Sequence, residues 1–300
     1  ICYNVNASHG ATKGNQRNQI LKAVSGSSFG QCKETLLTTY KLLVRPVLEL
    51  NCPIWQPNVS KTSVDKLQVV QNNGLRIVTG CHKKASIDHL HAETQMLRVG
   101  QHIDLISSQF LASSLRRDHP SHSVVTIPSG PRTKKETLFS KNIELVRPHL
   151  TDGFMLEVNF KKAISRLHTS AVAQALCAST PNKVLGRFPP SVNPEEETLS
   201  RSHRCTLTQL RSGECHYLRE YQHSIGKIDN DSCPACGAAS HTTRHLFECA
   251  ACPTDLSVMD LWLHPRAAAV FVSNIPPFIL HLPPVAPLPP LPIPPEPPPA

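Results

Sequence analysis

Aromatic residues make up only 5% of this 300-residue chain, and charged residues only 18%. No run of eighteen apolar residues occurs, which excludes a transmembrane helix as the organising element. Little of the chain alternates apolar and polar residues, so a sheet-based fold is not expected. The sequence has no GxxxxGK[ST], GxGxxG, HExxH or GxSxG, the motifs that bind phosphates, hold a catalytic zinc or place a serine nucleophile. It also contains no Asp-Asp dipeptide. A signal-peptide pattern is missing at Ile1, the expectation for a fragment whose natural start lies upstream.

What is present is basic. There are 31 Lys+Arg against 22 Asp+Glu, with a sequence pI near 9.1. That excess suits an anionic partner, RNA or DNA before a membrane. Seven of the eleven cysteines stand singly (Cys2, Cys32, Cys52, Cys81, Cys177, Cys205, Cys215), as reduced thiols of an intracellular, cytoplasmic or nuclear protein do, and not as a secreted disulfide framework.

Apolar spacing predicts helices through the first 120 residues. Leu36, Leu37, Tyr40, Leu43, Val44, Val47 and Leu48 form one stripe, in which Pro46 should kink the helix or end it early. "NCPIWQPN" reads as a loop. The next helix has Ser63 as its cap, Val64, Leu67, Val70, Leu75 and Val78 facing inward, and Gly80 at its end. A short helix should follow Ser86, and another run from about His102 to Arg117. Residues 121–195 read as a basic linker plus the helix "FKKAISRLHTSAVAQALCAS", with Phe160, Ile164, Leu167, Val172 and Leu176 on one face. A single helix from Leu199 to about Tyr221 is expected, bent at Gly213. From Pro276 onward 13 of 25 residues are proline, so residues 273–300 should be a disordered, polyproline-like tail. The fold class is therefore mainly α. Its parts are a helical bundle over 27–120, the 121–195 segment, a basic helix with a metal module over 196–272, and the tail.

The metal module is "CPACGAASHTTRHLFECAACP". Cys233 and Cys236 are a CxxC pair, and a helix capped by Thr242 would put His245 and Cys249 one turn apart on one side. The pattern Cys-x2-Cys-x8-His-x3-Cys predicts a closed Cys3His site for a structural Zn²⁺, with no open position for a hydrolase's water. His241 and Cys252 compete as ligands. His241 opens like a retroviral nucleocapsid knuckle, but that pattern needs a cysteine where Leu246 stands. Elsewhere, His89 and His91 read as surface or packing histidines, and Cys81-His82 lacks an orienting third group. Arg201, Arg204, Arg211 and Arg219, on the helix before the cluster, are candidates for sequence-independent phosphate contacts, with a plain solvated face about equally expected. "PLPPLPIPP" offers PxxP spacing for an SH3- or WW-type partner but lacks a flanking Arg or Lys.

Two long stretches resemble a known family. "ILKAVSGSSFGQCKETLLTTYKLLVRPVLELNCPIWQPNVS…LQVVQNNGLRIVTGCHKKASIDHLHAET" is similar to the segment just after the catalytic palm in reverse transcriptases of LINE-type, non-LTR retrotransposons of the jockey-like group. "VLGRFPPSVNPEEETLSRSHRCTLTQLRSGECHYLREYQHSI…CPACGAASHTTRHLFECAACPTDL…LWLHPRAAAVF" resembles the C-terminal end of the same polyproteins, including their Cys-Cys-His-Cys motif. The likeness spans roughly residues 15 to 272. It implies that residues 1–26 are an irregular remnant of the palm and that the 27–120 helices are a thumb cradling template–primer. Polymerase chemistry needs paired carboxylates to hold two divalent cations. Since this chain has no Asp-Asp pair, the resemblance implies a non-catalytic, nucleic-acid-binding C-terminal piece of an RNA-directed DNA polymerase with a structural zinc.

Overall fold

The computed structural model describes residues 3–26, 29–127 and 135–276, and the chain divides into two compact units, Ile1–Pro181 and Asn182–Ala300. The described residues are mainly helical. They contain no strand, only isolated bridges at Thr151–Phe154 and Ser232–Ser240. The proline-rich tail expected over 273–300 falls beyond Pro276 outside the described residues.

The first unit begins with a helix where an irregular remnant was expected. Helix α1 (Tyr3–Ala23) buries Ala7, Gly10, Gly14, Asn18 and Leu21, a stripe of mostly small residues. It is followed by α2 (Lys33–Thr39), a π turn (Tyr40–Val44) and α3 (Arg45–Leu48) in unbroken succession. Pro46 therefore does not end the helix. The backbone widens by one residue per turn ahead of it, so the donor that proline lacks is absorbed by the π turn. Leu36, Tyr40, Val44 and Leu48 are buried from this stripe, as its spacing requires.

The expected "NCPIWQPN" loop is itself helical, as α4 (Cys52–Trp55) and a 3-10 turn (Gln56–Asn58). Trp55 is buried, and its indole N–H donates to the Leu50 carbonyl at 2.8 Å. A long helix, α5 (Lys61–Thr79), follows. Its cap is Ser60, whose hydroxyl accepts from the Ser63 amide at 3.3 Å, so Ser63 is the third helical residue and not the cap. Gly80 ends it at φ 76°, the left-handed position that glycine adopts without strain. Helix α5 packs against α1 at backbone distance. A Cβ on Gly74 would stand 2.5 Å from the Tyr40 ring and 2.9 Å from Asn18 Oδ1; one on Gly14 would stand 2.6 Å from Leu48 Cδ2.

Ser86 caps α6 (Ile87–Thr94) as expected, and α7 (Val99–Ser114) follows. His89 and His91 are buried packing residues, and His91 Nδ1 lies 2.6 Å from the Met96 carbonyl oxygen. Beyond α8 (His122–Thr126), α9 (Leu138–Val146) and α10 (Glu157–Cys177), residues of the expected linker segment share a core with α7. Leu105, Leu111, Leu115, Ile143, Val146, Met155, Ala163 and Leu167 form it. The first unit thus extends to Pro181, and residues 128–134 of the expected linker lie outside the described residues. On α10 the buried face is Ala163 and Leu167 with partly buried Phe160, Ile164 and Ala171; Leu176 is exposed.

The second unit uses shorter helices: α11 (Arg201–Ser212), α12 (Arg219–Ser224), α13 (Thr243–Glu248), α14 (Asp260–Leu263) and α15 (Pro265–Asn274). The single helix expected over Leu199–Tyr221 is two, because Gly213 at φ 71° is the left-handed C-cap of α11. Leu207, Leu210, Leu218, Leu246, Phe247, Leu261, Trp262 and Val272 make the apolar core. No helix among the described residues is long and apolar enough to cross a membrane.

Candidate metal centre

The cluster is built from a tight turn and a capped helix. In the turn, the Gly237 amide donates to the Cys233 carbonyl and the Cys233 amide to the Ala239 carbonyl, both at 2.8 Å. Gly237 at φ 69° allows the chain to reverse directly after Cys236. On the other side, Thr242 caps α13, its hydroxyl accepting from the His245 amide at 3.0 Å. That cap sets where the helix starts, and hence where His245 points. Cys249 is the first residue past the helix, in extended backbone, and not a residue of the helix itself.

Four ligand atoms converge: those of Cys233, Cys236, His245 and Cys249 all lie within 4.8 Å of one another. Cys233 Sγ and Cys249 Sγ are 3.9 Å apart, and Cys236 Sγ is 3.3 Å from His245 Nε2. Cys233 and Cys249 are buried; Cys236 and His245 are half-buried. The group can hold a metal ion. Leu246 and Phe247, on the other side of α13, insert into the apolar core of the unit, so the ligands sit on an element anchored by packing.

The thiols differ in acidity. A hydrogen bond from the Ala238 backbone, opposed by desolvation and aided by His245, draws Cys236 down to about 7. Burial pushes Cys249 up to about 11. A cation bound here takes both as thiolates, so binding releases protons and weakens as pH falls.

Of the competing ligands, neither His241 nor Cys252 belongs to the converging set. His241 is fully buried, and its Nδ1 accepts the Arg219 amide at 3.3 Å. It braces the start of α12.

The arginines expected to meet phosphates are inside. Arg204 and Arg211 are 2% and 0% exposed, and Arg201 is 8% exposed. Arg211 donates to the Glu196 carboxylate and, through Nε at 2.8 Å, to the Leu261 carbonyl, with its guanidinium 5.8 Å from the Trp262 ring. Arg204 Nε lies 3.6 Å from the same carboxylate. Arg219 is half-buried and donates to the Ser232 carbonyl at 3.3 Å. The expectation of phosphate contacts from α11 is therefore corrected for Arg201, Arg204 and Arg211. A buried guanidinium costs several kcal/mol to desolvate, and Glu196 with the Leu261 carbonyl offsets that cost here. Sequence reasoning missed Glu196. The spacing of residues 204, 207 and 211, one helical stripe with Leu207 in its middle, signals that the arginines face inward but does not name their partner.

Comparison with protein-family models, with curated proteins and with solved structures returns no match.

Proposed function

We propose that this chain is the C-terminal part of a LINE-type, jockey-like retrotransposon reverse transcriptase, non-catalytic by itself, binding RNA or DNA through sequence-independent contacts and carrying one structural Zn²⁺. The observation that carries the metal half of this reading is the convergence of Cys233, Cys236, His245 and Cys249. Three sulfurs and one imidazole are a zinc donor set, and bond lengths near 2.3 and 2.0 Å place tetrahedral ligand atoms about 3.5–3.8 Å apart. The observed 3.9 and 3.3 Å separations lie on either side of that spacing, and all pairs fall within 4.8 Å. With four protein ligands, the ion supplies cross-linking and leaves no position for a reacting water. His245 and Cys249 then fix α13, while Cys233 and Cys236 fix the 231–240 turn against it.

The helical first unit supports the thumb-like reading of residues 27–120. The absence of an Asp-Asp pair from the sequence supports the non-catalytic one. The charge distribution bears on nucleic-acid binding. Residues 1–181 hold 22 Lys+Arg against 11 Asp+Glu, whereas residues 182–300 hold 9 against 11. Affinity for phosphates comes from cations that release counterions, and the net excess of these lies in the first unit.

Metal content tests the ligand set. The purified chain should carry one zinc per molecule by elemental analysis. Cys249→Ser should lose it, while His241→Ala should keep it despite a lower melting temperature from the emptied core site. Retention in Cys249→Ser, or loss in His241→Ala alone, would move the fourth ligand.

A further inference from the structure

We propose that the exposed face of α10 and the 3-10 turn before it form the surface on which this chain binds nucleic-acid phosphates; this rests on the nucleic-acid reading above and gives it a location. From residue 158 to residue 194 the sequence contains five Lys/Arg and no Asp or Glu. Lys161, Lys162 and Arg166 are exposed on α10. Lys162 and Arg166 stand one turn apart on the same side, a like-charge pair that is unfavourable for an isolated helix. They converge on His149 of the turn Arg147–His149. Partial burial, then the fields of Arg166 and Lys162, hold that imidazole below its ordinary pKa.

The acidic residues nearby are engaged or few. Glu157 pairs with Arg116 at 3.2 Å, and Glu144 with the exposed Arg147 at 2.7 Å. Asp152 is exposed in the loop between. A solvated helical face usually mixes both signs at four-residue spacing; this one does not after Glu157. Beside the cations lie half-buried aromatic rings already covered by arginine. Arg116 lies 5.1 Å from the Phe160 centroid and Arg117 4.7 Å from that of Phe154, on which His122 also stacks. With those rings already covered, the exposed cations of α10 carry the contact, as phosphate binding without sequence reading requires. Ala163 and Leu167 of α10 are buried and Phe160, Ile164 and Ala171 partly so, whereas Lys161, Lys162 and Arg166 are exposed and open to a partner.

The experiment uses the full zinc-loaded chain and a fluorescent single-stranded RNA of about 20 nucleotides, with anisotropy titrations between about 50 and 200 mM NaCl. Lys161→Gln/Lys162→Gln/Arg166→Gln should weaken binding at least tenfold at the lower salt and flatten the slope of log K against log salt by about two units, at roughly 0.7 per phosphate contact. Lys161→Arg/Lys162→Arg should keep the native slope. Lys13→Gln/Lys22→Gln/Lys41→Gln, which removes the same charge from exposed sites elsewhere in the first unit, should change affinity less than about twofold. If the native chain binds and both triple variants weaken it equally, net charge acts and the α10 surface is wrong, while nucleic-acid binding stands. If the native chain does not bind the RNA, or prefers phosphatidylserine vesicles, the functional reading and this surface both fall.

Discussion

The two units solve the same problem by different means. The first has long helices: α1 and α10 have 21 residues each and α5 has 19. The first unit buries one apolar set that includes Leu36, Tyr40, Trp55, Leu67 and Leu75, and a second shared by α7, α9 and α10. Among the described residues of the second unit the longest helix has 12 residues, and α13 has only six. Helices that short are marginal in water without tertiary support. The second unit supplements its core with a buried Glu196–Arg204–Arg211 network and a converging Cys3His group. A unit with long helices can rely on packing; one made of shorter helices needs cross-links.

Removing one member of the buried ion network should have the larger effect among single substitutions. Glu196→Ala leaves Arg204 and Arg211 buried without their carboxylate, and should cost about 3–5 kcal/mol. Differential scanning calorimetry should show the transition of the second unit falling while that of the first stays. Equal shifts in both transitions, or none, would remove the distinction drawn between the units.

A substitution in the first unit sharpens the comparison from the other side. Gly74→Ala pushes a methyl to 2.5 Å from the Tyr40 ring, which is fully buried and cannot swing away. Alanine is the better helix former by about 1 kcal/mol, yet overpacking typically costs about 1–3 kcal/mol. The first unit should lose stability by a net of roughly 1 kcal/mol in urea unfolding. A gain in stability would mean that α5 does not lie against the Tyr40 ring at Gly74.

Sequence carried some of this and not the rest for physical reasons. Large apolar residues at helical spacing mark α5 plainly, as do Ser86 before α6 and Gly80 after α5. The ligand group was legible because metal coordination demands fixed residue types at short spacings. Helix α1 was not. Apart from Leu21, its buried face is Ala7, Gly10, Gly14 and Asn18, and close helix packing selects small residues that carry little hydrophobic signal. Arg204 and Arg211 misled for the opposite reason: charge is read as surface until its partner is known. That partner, Glu196, sits in a separate 3-10 turn (Pro194–Thr198) among three consecutive glutamates, so spacing could not single it out.

Hydrogen exchange measured by mass spectrometry, with and without a zinc chelator, tests the central claim most directly. Structural zinc in small modules contributes on the order of 10 kcal/mol, so its removal should exceed the stability of the second unit. The account predicts that chelation strips protection from α11 and α13 while the amides of α5 remain as slow as before. Unchanged protection in α11 and α13 would mean that packing and the Glu196 network hold the second unit without a metal, and would contradict the account.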